Sequence, residues 1–394
     1  MIYFIYFIVT LLISLLGNRK SARVTCLIIT LLVFCFSYPA GNDWIGYFQN
    51  YDCLQNNHCD NNVPQFEPGF NLIVYVFGNL GFLGYNVVIA IFNIYCLDKF
   101  SKQFENKAFI YFSMLSFMYW MLYLEAIRQS IAISLLLLAI PFLFRRKIIA
   151  YVLLILLAST VHTTAIVCLL FIFPIISPRL SRLSSLSTLL FSLAFLFIPF
   201  IILNIVFSLL QPGSLVYEKL NFYLTSEAYR PQLSAGVGTL FDLVLIVLLF
   251  LCYKQIKRKG EWLTNQRLNL VLPGIILYIS FAIIIGKMMP VMTRIGWYGL
   301  PFVIIMLNTK ISDSIYFDKI KSTASFPVTK LMIYLFLIAQ AARPMLYEHS
   351  RYGIMNQETI FQAANYLNDE GLYIKAQKKC AVLHEMGLEF LCSI

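Results

Sequence analysis

Asp43, Glu67, Arg128, His162 and Arg294 stand at the ends of long apolar runs, and their types suit proton exchange beside a bound oxyanion. An ionisable group at membrane depth costs about 2.5–3.5 kcal/mol on insertion scales, so such groups tend to face a cavity and act there. Asp43 lies in Gly41-Asn42-Asp43-Trp44-Ile45-Gly46-Tyr47, where its carboxylate can take a proton or orient a hydroxyl. Trp44 and Tyr47 offer flat faces to sugar rings, or serve as an interfacial aromatic belt. Glu67 precedes Pro68, a residue suited to the first turn of a helix, so its carboxylate either caps that helix or lines the cavity. Arg128 follows Glu125 by three residues and could pair with it. Its planar, permanently charged fork, with Gln129 beside it, also suits a pyrophosphate oxyanion. His162 sits at the apex of Ser159-Thr160-Val161-His162, between two short apolar segments, where an imidazole can exchange a proton near neutral pH. Arg294 follows Lys287 and Met288-Met289-Pro290 and brings in a second guanidinium; Arg230, in Tyr229-Arg230-Pro231, is a further substrate-binding candidate on a loop.

Together these residues describe one cavity with at least two arginines, a histidine and one or two carboxylates. Arg128 and Arg294 would stabilise a leaving diphosphate, and His162 or Asp43 would take a proton from an attacking hydroxyl. Trp44, Tyr47, Glu67, Gln129 and Arg230 would hold substrate. The sequence contains no P-loop, Rossmann glycine pattern, HExxH or GxSxG motif, so the energy must come from the substrate or a gradient. Cys53, His58 and Cys59 do not match a tetrahedral ligand spacing, and no metal or cofactor is expected.

The elements that position these groups follow from composition. Of 394 residues, 60% are hydrophobic and only 12% are charged, too few to clothe a soluble surface. The apolar runs are continuous rather than alternating, which excludes a β-barrel. They fall at about 2–16, 24–39, 72–97, 108–124, 127–144, 148–160, 163–177, 184–210, 237–253, 268–286, 295–309 and 330–346. The fold class expected is an all-α polytopic integral membrane protein with about twelve transmembrane helices. Residues 148–160 and 163–177 are each too short for a straight span and form one broken unit.

The formal net charge of +11 would suggest nucleic acid or an acidic partner in a soluble protein. Alternating the loops from a cytoplasmic Arg19-Lys20 places 20 of the 30 basic but five of the 19 acidic residues on the cytoplasmic side. The excess is therefore mainly a topology signal, both termini face the periplasm, and no nucleic-acid partner is expected. Arg128 and Arg294 fall on the opposite, acidic side, where the positive-inside rule does not explain them. Residues 1–346 form the transmembrane domain, with periplasmic loops 40–71 and 211–236, and 347–394 form a periplasmic tail. In the tail, Ile360, Ala363, Ala364 and Leu367 predict a short amphipathic helix. Cys53 and Cys59 form the simplest disulfide pair in an oxidising compartment.

The arrangement resembles the EpsG family of Wzy-type polysaccharide polymerases. The matching residues are Gly41-Asn42-Asp43-Trp44, Glu67-Pro68-Gly69-Phe70, Arg128-Gln129, His162-Thr163-Thr164-Ala165, and Arg294 with Tyr298, in family order over residues 40–300. The resemblance implies a multi-pass glycosyltransferase of the bacterial inner membrane, with a GT-C-like helical bundle. Such an enzyme joins undecaprenyl diphosphate-linked oligosaccharide repeat units into O-antigen or a related surface polysaccharide on the periplasmic face. It implies no cofactor, and as partners the membrane lipid, a chain-length regulator and a flippase. A polysaccharide flippase or transporter would show internal repeats and midplane charges, which are not evident here. An O-antigen ligase uses the same donor and side and is the other alternative.

Overall fold

The computed structural model describes residues 2–16, 19–41, 43–57, 59, 66–214, 217, 221, 224, 225, 231–234, 236–258, 262–308, 327–386 and 392. Among these the regular structure is helical, and one isolated antiparallel bridge joins Ser37 and Thr359. In chain order the first helices are α1 (Ile2–Leu15), α2 (Lys20–Cys35), α3 (Trp44–Asn56), α4 (Pro68–Phe77), α5 (Gly81–Ser101) and α6 (Lys107–Met118). A π-helical turn (Tyr119–Glu125) prolongs α6, and α7 (Ile127–Phe144) and α8 (Ile148–Val161) follow. A 3-10 stretch (Thr163–Ile172) then runs into α9 (Phe173–Ile176), α10 (Pro178–Phe197) and α11 (Pro199–Leu209). Next come α12 (Val237–Arg258), α13 (Trp262–Leu277), α14 (Thr293–Gly296), α15 (Leu300–Asn308) and α16 (Pro327–Ala342). The tail carries α17 (Glu348–Met355) and α18 (Asp369–Glu385).

Seven helical stretches are long and apolar enough to cross a bilayer: 68–101, 107–125, 127–144, 178–197, 237–257, 268–287 and 290–308. The expected run 184–210 is two helices, because Pro199 cannot continue α10 and Ile198 leaves helical geometry at φ −131°. The runs at 2–15, 148–161, 163–176 and 199–209 are shorter than a straight crossing needs.

The helix through 107–125 and α7 form the buried centre, with α15 beside them. A cluster of aromatic rings seals α1 onto this centre: Tyr119 contacts Tyr3, Tyr6, Phe7 and Phe34 with centroids 4.8–5.6 Å apart. At one end of the bundle, Asp98 binds Arg23 (2.6 Å), Lys102 (2.7 Å) and the Tyr111 hydroxyl (3.0 Å), tying α2, α5 and α6 together. The candidate site lies at the opposite end.

The tail folds back onto the site end. Tyr38 N donates to Glu358 O (3.0 Å), Ile360 N donates to Phe36 O (2.9 Å), and the Tyr38 hydroxyl donates to Tyr366 O (2.9 Å). Gly353 packs against the Trp120 ring, closely enough that a Cβ there would strike it. The expected helix over 360–367 does not form. Those backbone bonds hold residues 358–360 alongside residues 36–38, and only a 3-10 turn (Ala364–Tyr366) follows. The helix starts at Asp369, where the Asn368 side chain caps Gly371 N at 3.0 Å.

Candidate active site

Glu67 is the hub. Pro68 starts α4, and Gly69 lets that first turn rest directly on Thr160 at the end of α8, where any side chain would collide with Thr160 backbone and side chain. The contact sets the Glu67 carboxylate against the break between α8 and the 3-10 stretch. There His162 is extended (φ −149°, ψ 107°), which frees the start of the next helix. Glu67 Oε1 accepts from Thr163 N (3.3 Å) and Thr163 Oγ1 (3.2 Å), and His162 Nδ1 lies 3.4 Å away. Glu67 Oε2 pairs with Arg128 Nη1. The Glu67 side chain makes no capping bond to α4, so its carboxylate is given over to Arg128, His162 and Thr163.

Arg128 reaches Glu67 because the π turn ends at Ala126 (φ −93°, ψ 64°) and α7 starts afresh at Ile127. The same break turns Glu125 away, and the i, i+3 pair expected between Glu125 and Arg128 gives way to the pair with Glu67. The Arg128 guanidinium lies over the Phe66 ring, 3.9 Å from its centroid, a cation–π contact. Arg294, on α14, donates to Asp43 Oδ2 at 2.9 Å, and its backbone carbonyl accepts from Gln129 Nε2. Gln129 thus ties the two arginine-bearing elements together. Thr164 Oγ1 and the Tyr298 hydroxyl are 3.2 Å apart on the adjoining wall.

Burial alone would raise the Glu67 carboxyl, but the neighbouring His162 and the Arg128 charge outweigh it and hold it well below the usual carboxylate range. Burial pushes the His162 imidazole below its ordinary value; Glu67 opposes this and Arg128 adds to it. The histidine is therefore neutral near pH 7 and able to take a proton. At the site, Arg128 Nε, Gln129 Oε1 and Glu125 Oε1 are among the buried polar atoms that have no hydrogen-bond partner within the described residues. An unpaired buried polar atom costs about 1–3 kcal/mol, a cost that a ligand supplying the missing partner removes. Among the described residues, no group of three or more His, Cys, Asp or Glu side chains is placed to hold a metal.

Asp43, Glu67, Gln129, Arg128, His162 and Arg294 are thus brought together from five separate segments. Trp44 and Tyr47 are not open to solvent: Trp44 is 2% exposed and packs on Phe48 and Phe82, while Tyr47 lies beneath Phe66 and Phe70. Helix α3 turns both rings inward, so they form the floor of the site and offer no free face to a sugar. Arg230 lies outside the described residues. Cys53 and Cys59 are joined, with Cα atoms 4.4 Å apart, and so are Cys380 and Cys392.

Sequence reasoning missed two further charges. Lys379, on α18, faces Glu125, and burial pushes its ammonium down to about 8 while Glu125 pulls the other way. Nothing local in the sequence links these two residues. Asp242 binds Lys287 (2.5 Å) and Arg343 (2.8 Å), joining three apolar helices at this end. Its signal was there to be read, an aspartate inside the apolar run 237–253.

The EpsG family model matches residues 20–352. The chain belongs to the EpsG family. EpsG proteins are Wzy-type polymerase-like membrane proteins, and this one is accordingly a multi-pass membrane protein of the polysaccharide-polymerase type. The matched span holds every site residue described above except Lys379. No curated protein and no solved structure matches the chain.

Proposed function

We propose that this EpsG protein polymerises undecaprenyl diphosphate-linked oligosaccharide repeat units on the periplasmic face of a bacterial inner membrane. The observation that carries the reading is the clustering of Arg128, Arg294 and a neutral His162 at the end of the bundle opposite the Asp98 cluster. A hydroxyl of the acceptor sugar attacks the anomeric carbon of the donor glycan. The new C–O bond forms as the bond from that carbon to the diphosphate oxygen breaks. His162 takes the hydroxyl proton, and Glu67, 3.4 Å from its Nδ1, orients the ring. Arg128 and Arg294 receive the charge that develops on the departing lipid diphosphate. Asp43 holds Arg294 in place, and a chain-length regulator and a flippase act alongside.

The experiment is complementation of a deletion strain, reading surface polysaccharide as a ladder on a gel. Arg128→Ala and Arg294→Ala should each lower polymerisation by about 10²–10³-fold, the cost of one lost oxyanion donor. Arg→Lys should also impair it, since lysine loses the planar fork. Normal long chains from either alanine variant would sink the assignment.

A further inference from the structure

Helices α2 and α5 are pinned at one end by Arg23 and Asp98 (2.6 Å). Towards the site end an apolar slot lies between them. Leu83, Val87, Ala90 and Ile94 of α5 line it at helical spacing, facing Phe34 and Cys35 of α2. From Leu83 to Ile94 the helix rises about 17 Å. Among the described residues no ionised side chain lines the slot, and the amide of Asn93 in its wall is used by Ser130 and Ser134, both at 2.8 Å. The rims are apolar and open: Ile28 and Leu32 on α2, Phe36 just after it, and Ile91 and Tyr95 on α5, are exposed. The slot therefore communicates sideways with the bilayer.

The residues at its inner end are chain neighbours of the charged ones. Ala40 and Trp44 line the slot and bracket Gly41 and Asp43; Leu124 and Ile127 line it and bracket Glu125. Arg128 is the next residue after Ile127, and Arg294 is held on Asp43. An amphiphile with a long apolar chain in the slot would have its headgroup beside two arginines. Arg128 Nε there has no hydrogen-bond partner among the described residues.

We propose that this slot holds the polyprenyl chain of the lipid-linked substrate and delivers its diphosphate to Arg128 and Arg294. The assignment rests on the polymerase reading but concerns a different part of the molecule. A bilayer phospholipid is the competing occupant, and its chemistry is separable: two acyl chains rather than one long isoprenoid.

Native mass spectrometry of the purified full-length protein, offered undecaprenyl phosphate or dioleoyl phosphatidic acid at equal concentration, tests it. The wild type should retain the polyprenyl lipid in preference. Ala90→Phe should cut that retention about tenfold, equivalent to displacing roughly two methylenes from an apolar site. Ile91→Phe, one residue along on the exposed rim, should leave it unchanged. If Ala90→Phe does not fold, Val87→Phe fills the slot from the neighbouring turn and should give the same loss. Equal retention of both lipids by the wild type, or undiminished retention by a folded slot-filling variant, would overturn the proposal. Failure of the polymerase reading looks different: a strain lacking the gene would show a bare acceptor or unchanged long chains, whatever the lipid preference.

Discussion

His162 is where residue chemistry and stability meet. Its imidazole is held below the ordinary value of 6.5, chiefly by burial, so protonation is disfavoured in the folded protein. Above about pH 6.5 both folded and unfolded chains carry the neutral ring and no penalty arises. As the pH falls below that value the unfolded chain takes up the proton first, and stability is lost down through the lower folded value. Glu67 has the same sign, since its folded value is also depressed, and its contribution disappears at still lower pH. Polymer formation in isolated membranes should therefore be flat above about pH 7 and fall on acidification through the region below His162's ordinary value. In His162→Gln the residual activity should lose that acidic limb; an unchanged limb would move the base to Asp43. Glu67→Ala should cost about 3–5 kcal/mol in unfolding, because it leaves the largely buried Arg128 unpaired. A melting curve in detergent unchanged from wild type would refute that.

The elements that place these residues were legible to different degrees. Among the described residues every apolar run in the sequence is mainly helical, because in a bilayer a helix satisfies its own backbone. His162 stood out as a break between two short apolar segments, and it is a break. What spacing could not give was partnership. Arg128 has a carboxylate three residues back, yet pairs with Glu67 because a π turn and the break at Ala126 reset the helix face. Trp44 looked like a surface for sugars, but amphipathic α3 turns it inward. The tail misled in the same way: an i, i+3, i+4, i+7 pattern at 360–367 was overridden by backbone bonds to residues 36–38. That docking makes the tail part of the bundle. A stop codon at Gln357 would remove its bonds to Ser37 (3.1 Å) and Tyr119 (3.2 Å) and the buried Leu372 and Leu383. Each such leucine is worth about 1.5–3 kcal/mol of burial, so the truncated protein should melt at a lower temperature. Equal melting temperatures would show that the tail adds nothing to the body.

At the scale of the whole molecule, the two charged ends differ in kind. The Asp98 cluster joins neighbouring helices and involves none of the proposed site residues, whereas the opposite end gathers groups from five segments into one cluster. A polymerase built this way acts on material already delivered to its side. Deleting the gene should therefore leave single repeat units on the acceptor, seen as one band on a polysaccharide gel. Loss of a flippase or a ligase would leave none, so a bare acceptor would exclude the polymerase reading. One consequence follows from the way both arginines are already engaged, Arg128 by Glu67 and Arg294 by Asp43. A stray phosphate or sulfate ion must compete with carboxylates that never diffuse away. A diphosphate tethered by an apolar chain in the adjacent slot competes from an effective concentration in about the millimolar range, without any stronger headgroup contact. Selectivity against ambient anions is thereby set by anchorage, and free pyrophosphate should be a poor inhibitor.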